Sequence, residues 1–159
     1  MMNLKNILLK KENFPYRVIL IIISLSFVFS FTFFLICKDS VRRVFIFPSA
    51  DGGKYVVEYR NLPHKPYEGV IFNYASELLL GSGVERTMAL FSPGTKVKSC
   101  FLRKGVLYLD ISEEALFMGN GVIDIEDGVK LLKLNIKKNF GNVNKINLFI
   151  DGKLAYDSH

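Results

Sequence analysis

The stretch Thr95-Lys96-Val97-Lys98-Ser99-Cys100-Phe101-Leu102-Arg103-Lys104-Gly105-Val106-Leu107-Tyr108-Leu109-Asp110-Ile111 reads as two strands folded back on each other around Lys104-Gly105. In the second run Leu107, Leu109 and Ile111 fall on one face, with Tyr108 and Asp110 on the other. A sheet with one apolar face needs a cover, and the flanking sequence supplies it. Downstream, Val129, Leu132, Ile136 and Phe140 recur at helical spacing, with Lys130, Lys133, Lys137 and Lys138 mostly on the wet side. Asp124, Glu126 and Asp127 bias the start of that helix, and Gly141-Asn142 ends it. A last strand, Lys145 to Asp151, points Ile146, Leu148 and Ile150 inward. Upstream, Val44-Phe45-Ile46-Phe47 and Tyr55 to Arg60 flank the turn Ser49 to Lys54, which predicts another hairpin. Val70, Ile71, Tyr74, Leu78 and Leu79 then form a second helical stripe, opened by Pro63-His64-Lys65-Pro66 and stopped at Gly81 and Gly83. Thr87 to Phe91 fits neither period. One-sided elements of this kind bury best as a compact two-layer α+β domain, a mixed sheet with the two main helices on one face.

Ahead of this domain lies Val18 to Cys37, an uncharged apolar run interrupted only by Ser24, Ser26, Ser30 and Thr32. As a helix it would be about 30 Å long, the thickness of a bilayer's hydrocarbon core. In lipid it has to be a helix, because its backbone polar groups find no other partners there. The expected organisation is a cytoplasmic tail over 1–17, a transmembrane signal anchor over 18–37, a juxtamembrane linker over 38–43 and the domain over 44–159, with the lipid bilayer as partner of residues 18–37. A cleaved secretory signal is an alternative, although this run is longer than a signal's apolar core and no Ala-x-Ala pattern follows it. Lipidation of Cys37 in Phe34-Leu35-Ile36-Cys37 is another, against which Ile36 stands where a small residue is expected. Lys5, Lys10, Lys11 and Arg17 precede the run; Lys38, Arg42 and Arg43 follow it, with Asp39 among them. That bias, and a long tail behind a first hydrophobic segment, put the N-terminus in the cytoplasm and the domain outside.

The formal net charge of +6 does not make this a nucleic-acid binder. From Arg42 onward 16 Lys and Arg face 13 Asp and Glu, interspersed rather than gathered in a stripe. Two distant cysteines, Cys37 and Cys100, make neither a disulfide framework nor a zinc motif, and Cys100 reads as a small buried hydrophobe.

Several pieces, in order, carry a family likeness: Val44-Phe45-Ile46-Phe47; Ala75-Ser76-Glu77-Leu78-Leu79-Leu80-Gly81; Ser92-Pro93-Gly94-Thr95-Lys96-Val97; Gly105-Val106-Leu107-Tyr108-Leu109-Asp110-Ile111-Ser112; and Val143-Asn144-Lys145-Ile146-Asn147-Leu148-Phe149-Ile150-Asp151-Gly152-Lys153. From Val44 to Lys153 the chain resembles the GerM domain family of sporulation and spore germination. It departs at Gly81-Ser82, where the family usually has Gly-Pro, and over Glu113 to Gly128. The resemblance implies a compact α/β fold similar to the ring-building modules of secretion and sporulation machines, and a scaffold or assembly role at the cell envelope. It brings no catalytic residues with it.

The residues themselves point the same way. His64 lies in a Pro-rich turn and His159 is terminal, neither in metal-ligand or triad spacing. Glu113-Glu114 and Asp124-Glu126-Asp127 could serve acid/base chemistry or calcium, but they lack the calcium-loop spacing, and helix-entry roles account for them more simply. Gly119-x-Gly121 lacks the strand-turn-helix context of a phosphate loop. Asp110 reads as an outward strand residue, and Phe72, Tyr74 and Phe117 as core before they read as an exposed aromatic patch. The expectation is a non-catalytic interaction module without cofactor or metal, docking onto an envelope protein or peptidoglycan. The alternatives are an enzyme or accessory factor acting on peptidoglycan through those acidic residues, and a homo-oligomer, a module that assembles itself into a ring.

Overall fold

The computed structural model describes residues 14–36 and 39–155. The readings made of Lys5, Lys10, Lys11, Cys37, Lys38 and His159 lie outside the described residues. The chain divides into two compact units, Met1–Asp39 and Ser40–His159.

In the first unit, α1 (Phe14–Ile36) is a helix of 23 residues, about 34 Å long. It is apolar on every side and none of its hydrophobic window is buried. Phe27 stacks on Phe31 and Phe29 on Phe33, one turn apart. The hydroxyl of Thr32 donates to the Val28 carbonyl at 2.7 Å, so this polar group is satisfied within the helix itself. By length and composition α1 can cross a membrane.

The second unit runs β1 (Ser40–Pro48), β2 (Tyr55–Pro63), α2 (Val70–Leu79), β3 (Val97–Arg103), β4 (Val106–Ile111), a 3-10 turn at Glu113–Leu116, α3 (Ile125–Asn139), β5 (Lys145–Ile150) and β6 (Lys153–Leu154). β3, β4, β5 and β6 form a mixed sheet in that spatial order, with β4 and β5 parallel and the outer pairs antiparallel. The β3–β4 turn uses Lys104 and Gly105, both at positive φ, and the β5–β6 turn repeats this with Asp151 and Gly152. Two positive-φ residues are what a tight hairpin needs to match the strands' twist. Leu107, Leu109, Ile111, Ile146, Leu148 and Ile150 are buried on one face, as the alternation predicts. Leu78 of α2 and Leu132 and Ile136 of α3 join them in one core, each worth about 1.5–3 kcal/mol of burial.

The architecture is α+β, with one departure from a single sheet: β1 and β2 form their own two-stranded sheet. Its register runs from Ser40 opposite Pro63 to Pro48 opposite Tyr55. β1 therefore begins inside the stretch expected as linker, because residues 40–43 have cross-strand partners in Arg60 to Pro63. Thr87 to Phe91 becomes a buried connection: Ser49 bridges Thr87, Ala89 bridges Val122, and Leu90 and Phe91 enter the core.

Candidate interaction surface

A two-stranded sheet has two free edges, and unpaired edges recruit other strands. The hairpin treats its edges differently. On the β1 edge the N–H groups of Val44 and Ile46 donate to the amide oxygens of Asn139 (3.0 Å) and Asn135 (2.8 Å). The same two side chains return a bond: Asn139 Nδ2 donates to the Val44 carbonyl at 2.7 Å, and Asn135 Nδ2 to that of Ile46 at 2.9 Å. One helical turn separates the asparagines and two residues separate the strand positions, so two primary amides on α3 do the work of a neighbouring strand. Tyr74 completes the seal, donating to the Val44 carbonyl at 2.7 Å while accepting from Asn139 at 2.9 Å. Burial pushes the Tyr74 phenol well above its ordinary range, so it remains a donor.

The inner face of the hairpin grips both helix ends. Arg43 and Arg60 lie opposite each other in the register. Arg43 donates to the Asn139 carbonyl at 2.8 Å, at the C-terminus of α3, with its guanidinium over the Phe140 ring. Arg60 donates to the carbonyls of Glu77 (3.2 Å) and Gly81 (2.6 Å), at the C-terminus of α2, and lies over Phe45. A cation at each helix C-terminus meets orphan carbonyls and the negative end of the dipole. Glu58 orients Arg60 through contacts of 2.9 and 3.1 Å, and Ser82 donates to Glu58 at 2.9 Å.

This arrangement fixes a pH dependence. The hydrogen bond from Arg60 holds the Glu58 carboxyl below its ordinary 4.5. A depressed folded-state value means that the stabilisation is fully present above about pH 4.5 and fades as pH falls through the lower folded value. In chemical denaturation from pH 7 to pH 3, Glu58→Gln is expected to be less stable than the wild type at pH 7 and to lose less on acidification. Parallel pH curves for the two proteins would refute the assignment.

The other edge is open, and so is the β2 half of the outer face, whereas Ile46 on the β1 half is buried. Val44 and Ile46 point their backbone groups away from β2, so their partners Tyr59 and Val57 point theirs away from β1. Among the described residues, none bonds the N–H or C=O of Val57 or Tyr59 from that side. The side chains of Tyr55, Val57 and Tyr59 are 67%, 50% and 55% exposed, on the face where the Arg42 guanidinium stacks 4.2 Å above the Tyr59 ring. Beside Tyr55 a shallow cleft is lined by Pro48, Ile123, Leu131 and Leu134, with Asp127 and Lys130 at its rim. Elsewhere Phe101 stacks on Tyr108 on the outer face of the mixed sheet, and Leu116, Phe117 and Met118 are exposed at the end of the 3-10 turn and just after it.

The residues singled out for chemistry do not converge. Among the described residues no group of three or more His, Cys, Asp or Glu could hold a metal ion. Glu126 contacts Lys130 at 2.7 Å one turn along α3, and Ser112 holds the Glu114 carboxyl below its usual range by hydrogen bonding. Asp110 accepts from the Gly152 N–H at 3.1 Å and so shapes the β5–β6 turn. Cys100 is half-buried, and burial pushes its thiol up to about 11, which keeps it protonated and unreactive. His64 is exposed in its loop. Of the three aromatics read as core, Tyr74 is buried, whereas Phe117 is exposed and Phe72 is half-buried beside a separate shallow groove with Ser76, Leu80 and Lys96.

Known proteins place the domain. No curated protein matches the chain. Two solved structures share its fold. The tandem GerMN domains of the sporulation protein GerM from Bacillus subtilis superpose with a TM-score of 0.58 at 20% identity, covering 73% of this chain and 41% of that one. The first GerMN domain of the same protein gives 0.54 at 20% identity, covering 72% and 86%. The chain thus spans about two fifths of the tandem structure. The family described as Germane, sporulation and spore germination, matches residues 45–155, from the first buried phenylalanine of β1 to the residue after β6. The chain belongs to the Germane family.

Proposed function

We propose that this chain is a single-pass membrane protein that holds a non-catalytic Germane domain outside the cytoplasmic membrane, where it docks onto an envelope component. The observation that carries the reading is α1, a 23-residue helix apolar on all sides that ends four residues before the domain's first strand. A helix of that kind is stable in lipid and insoluble in water. The family supports an envelope setting through its sporulation link, and the open aromatic face of the hairpin supports docking rather than chemistry. Envelope protein and peptidoglycan are the two partner classes that fit a domain so placed.

The test is protease accessibility of the full chain, tagged at its C-terminus, in intact and permeabilised spheroplasts. Digestion of the domain in intact spheroplasts is the expected result. Protection until permeabilisation would place the domain in the cytoplasm and end the envelope reading. Crosslinked membranes then separate the partner classes, since a protein partner survives wall digestion and a wall partner does not.

A further inference from the structure

We propose that two copies of this chain pair through their β2 strands, antiparallel and edge to edge, about a twofold axis at Val57. The fold seals the β1 edge with Asn135 and Asn139 and leaves the β2 edge open. The exposed stripe on that open edge reads Tyr55, Val57, Tyr59, which is a palindrome in residue type. An antiparallel pairing centred on Val57 sets Val57 against Val57 of the second copy and Tyr55 against its Tyr59, twice.

The backbone agrees with the side chains. The groups that point outward belong to the same alternate positions, 55, 57 and 59. In the centred register each meets an outward-pointing residue of the second copy, so all three pairs are hydrogen-bonded pairs, about six backbone bonds in all. A one-residue slip would bring outward-pointing residues against residues whose backbone groups are already committed to β1, and would move each tyrosine off its partner. Cross-strand aromatic pairs contribute roughly 0.2–1 kcal/mol each beyond burial, and tyrosine is among the residues that anchor interfaces. A twofold contact of this kind closes on itself, giving a pair and not a ring or filament. It needs no membrane, so its failure and that of the anchor reading are separable.

The experiment uses the full chain in detergent micelles, in a background with Cys37 and Cys100 replaced by serine. Directly opposed residues in a hydrogen-bonded pair are about 5.5 Å apart at Cα, within disulfide reach. Val57→Cys should therefore oxidise to a covalent dimer, and so should an equal mixture of Tyr55→Cys and Tyr59→Cys chains. Tyr59→Cys alone should not, because its own counterpart lies about 14 Å along the strand. In sedimentation the parent chain should be dimeric, and Val57→Lys, which opposes two like charges on an exposed site, should weaken the dimer at least tenfold while its circular dichroism stays that of the folded chain. Equal crosslinking by Val57→Cys and Tyr59→Cys, a parent chain that is monomeric at high concentration, or a dimer that survives Val57→Lys would each overturn the proposal. So would a Val57→Cys adduct in native membranes whose mass shows a different protein on this edge.

Discussion

Replacing Asn135 with leucine should cost the domain about 3–5 kcal/mol, a fall in melting temperature of roughly 10 °C or more. Asn135 is fully buried, and its side chain takes part in four hydrogen bonds of 2.8–3.2 Å, accepting from Ile46 N and the Tyr74 hydroxyl and donating to Ile46 O and Leu131 O. Leucine matches its size and is the better helix former, so propensity alone would favour the change. The cost arises elsewhere, in the strand: the N–H and C=O of Ile46 would stay buried without partners, at about 1–3 kcal/mol each. Asn61→Leu on the open β2 edge is the control, expected within about 0.5 kcal/mol of the parent because that side chain is exposed. Thermal melts of the two variants compare a sealed edge with an open one. Equal losses would show that the amide pairing contributes nothing special.

The second large effect is expected at Gly128, in the first turn of α3. A Cβ there would lie 2.5 Å from the Leu90 carbonyl oxygen and 3.2 Å from the Phe91 ring. Alanine should gain about 1 kcal/mol in helix propensity over glycine, yet the obstructing atom is backbone and cannot swing aside. Either α3 or the buried connection through Leu90 must shift, and overpacking of that kind costs typically 1–3 kcal/mol or more. We expect Gly128→Ala to destabilise by about 2 kcal/mol net in denaturant titration. A variant as stable as the parent would mean that the connection yields without penalty.

Much of this fold is legible in the residues because its signals are local. The alternation of Leu107, Leu109 and Ile111 and the stripe Val129, Leu132, Ile136 and Phe140 each state a period and a face, and both faces are buried. The sealed edge is different. Asn135 and Asn139 stand one turn apart beside an apolar stripe, in a helix where asparagine is a poor former. That oddity is the signal, but their partners in β1 lie 89 and 95 residues away, and no window of sequence joins them. The arginine grip on the helix ends was missed for the same reason, since periodicity reports burial and says nothing of which carbonyl a guanidinium will reach. β6 escaped notice because two residues are too few to show a period. The interaction surface was half legible: Tyr55, Val57 and Tyr59 announce a strand, but only the pairing with β1 shows which edge they leave free.

That distance between the asparagines and their strand also sets a schedule. A ribosome adds roughly 5–20 residues per second, and Asn135 follows Ile46 by 89 positions. β2 is complete only at Pro63, so for the 72 positions from there to Asn135, roughly 4–14 s, each nascent chain carries a hairpin whose two edges are both open. During that interval β1 is as sticky as β2, and neighbouring nascent chains on one message offer the same strand. Translation speed between Pro63 and Asn139 thus becomes a determinant of yield, and slowing it should shift product from folded chain to aggregate without altering the finished molecule.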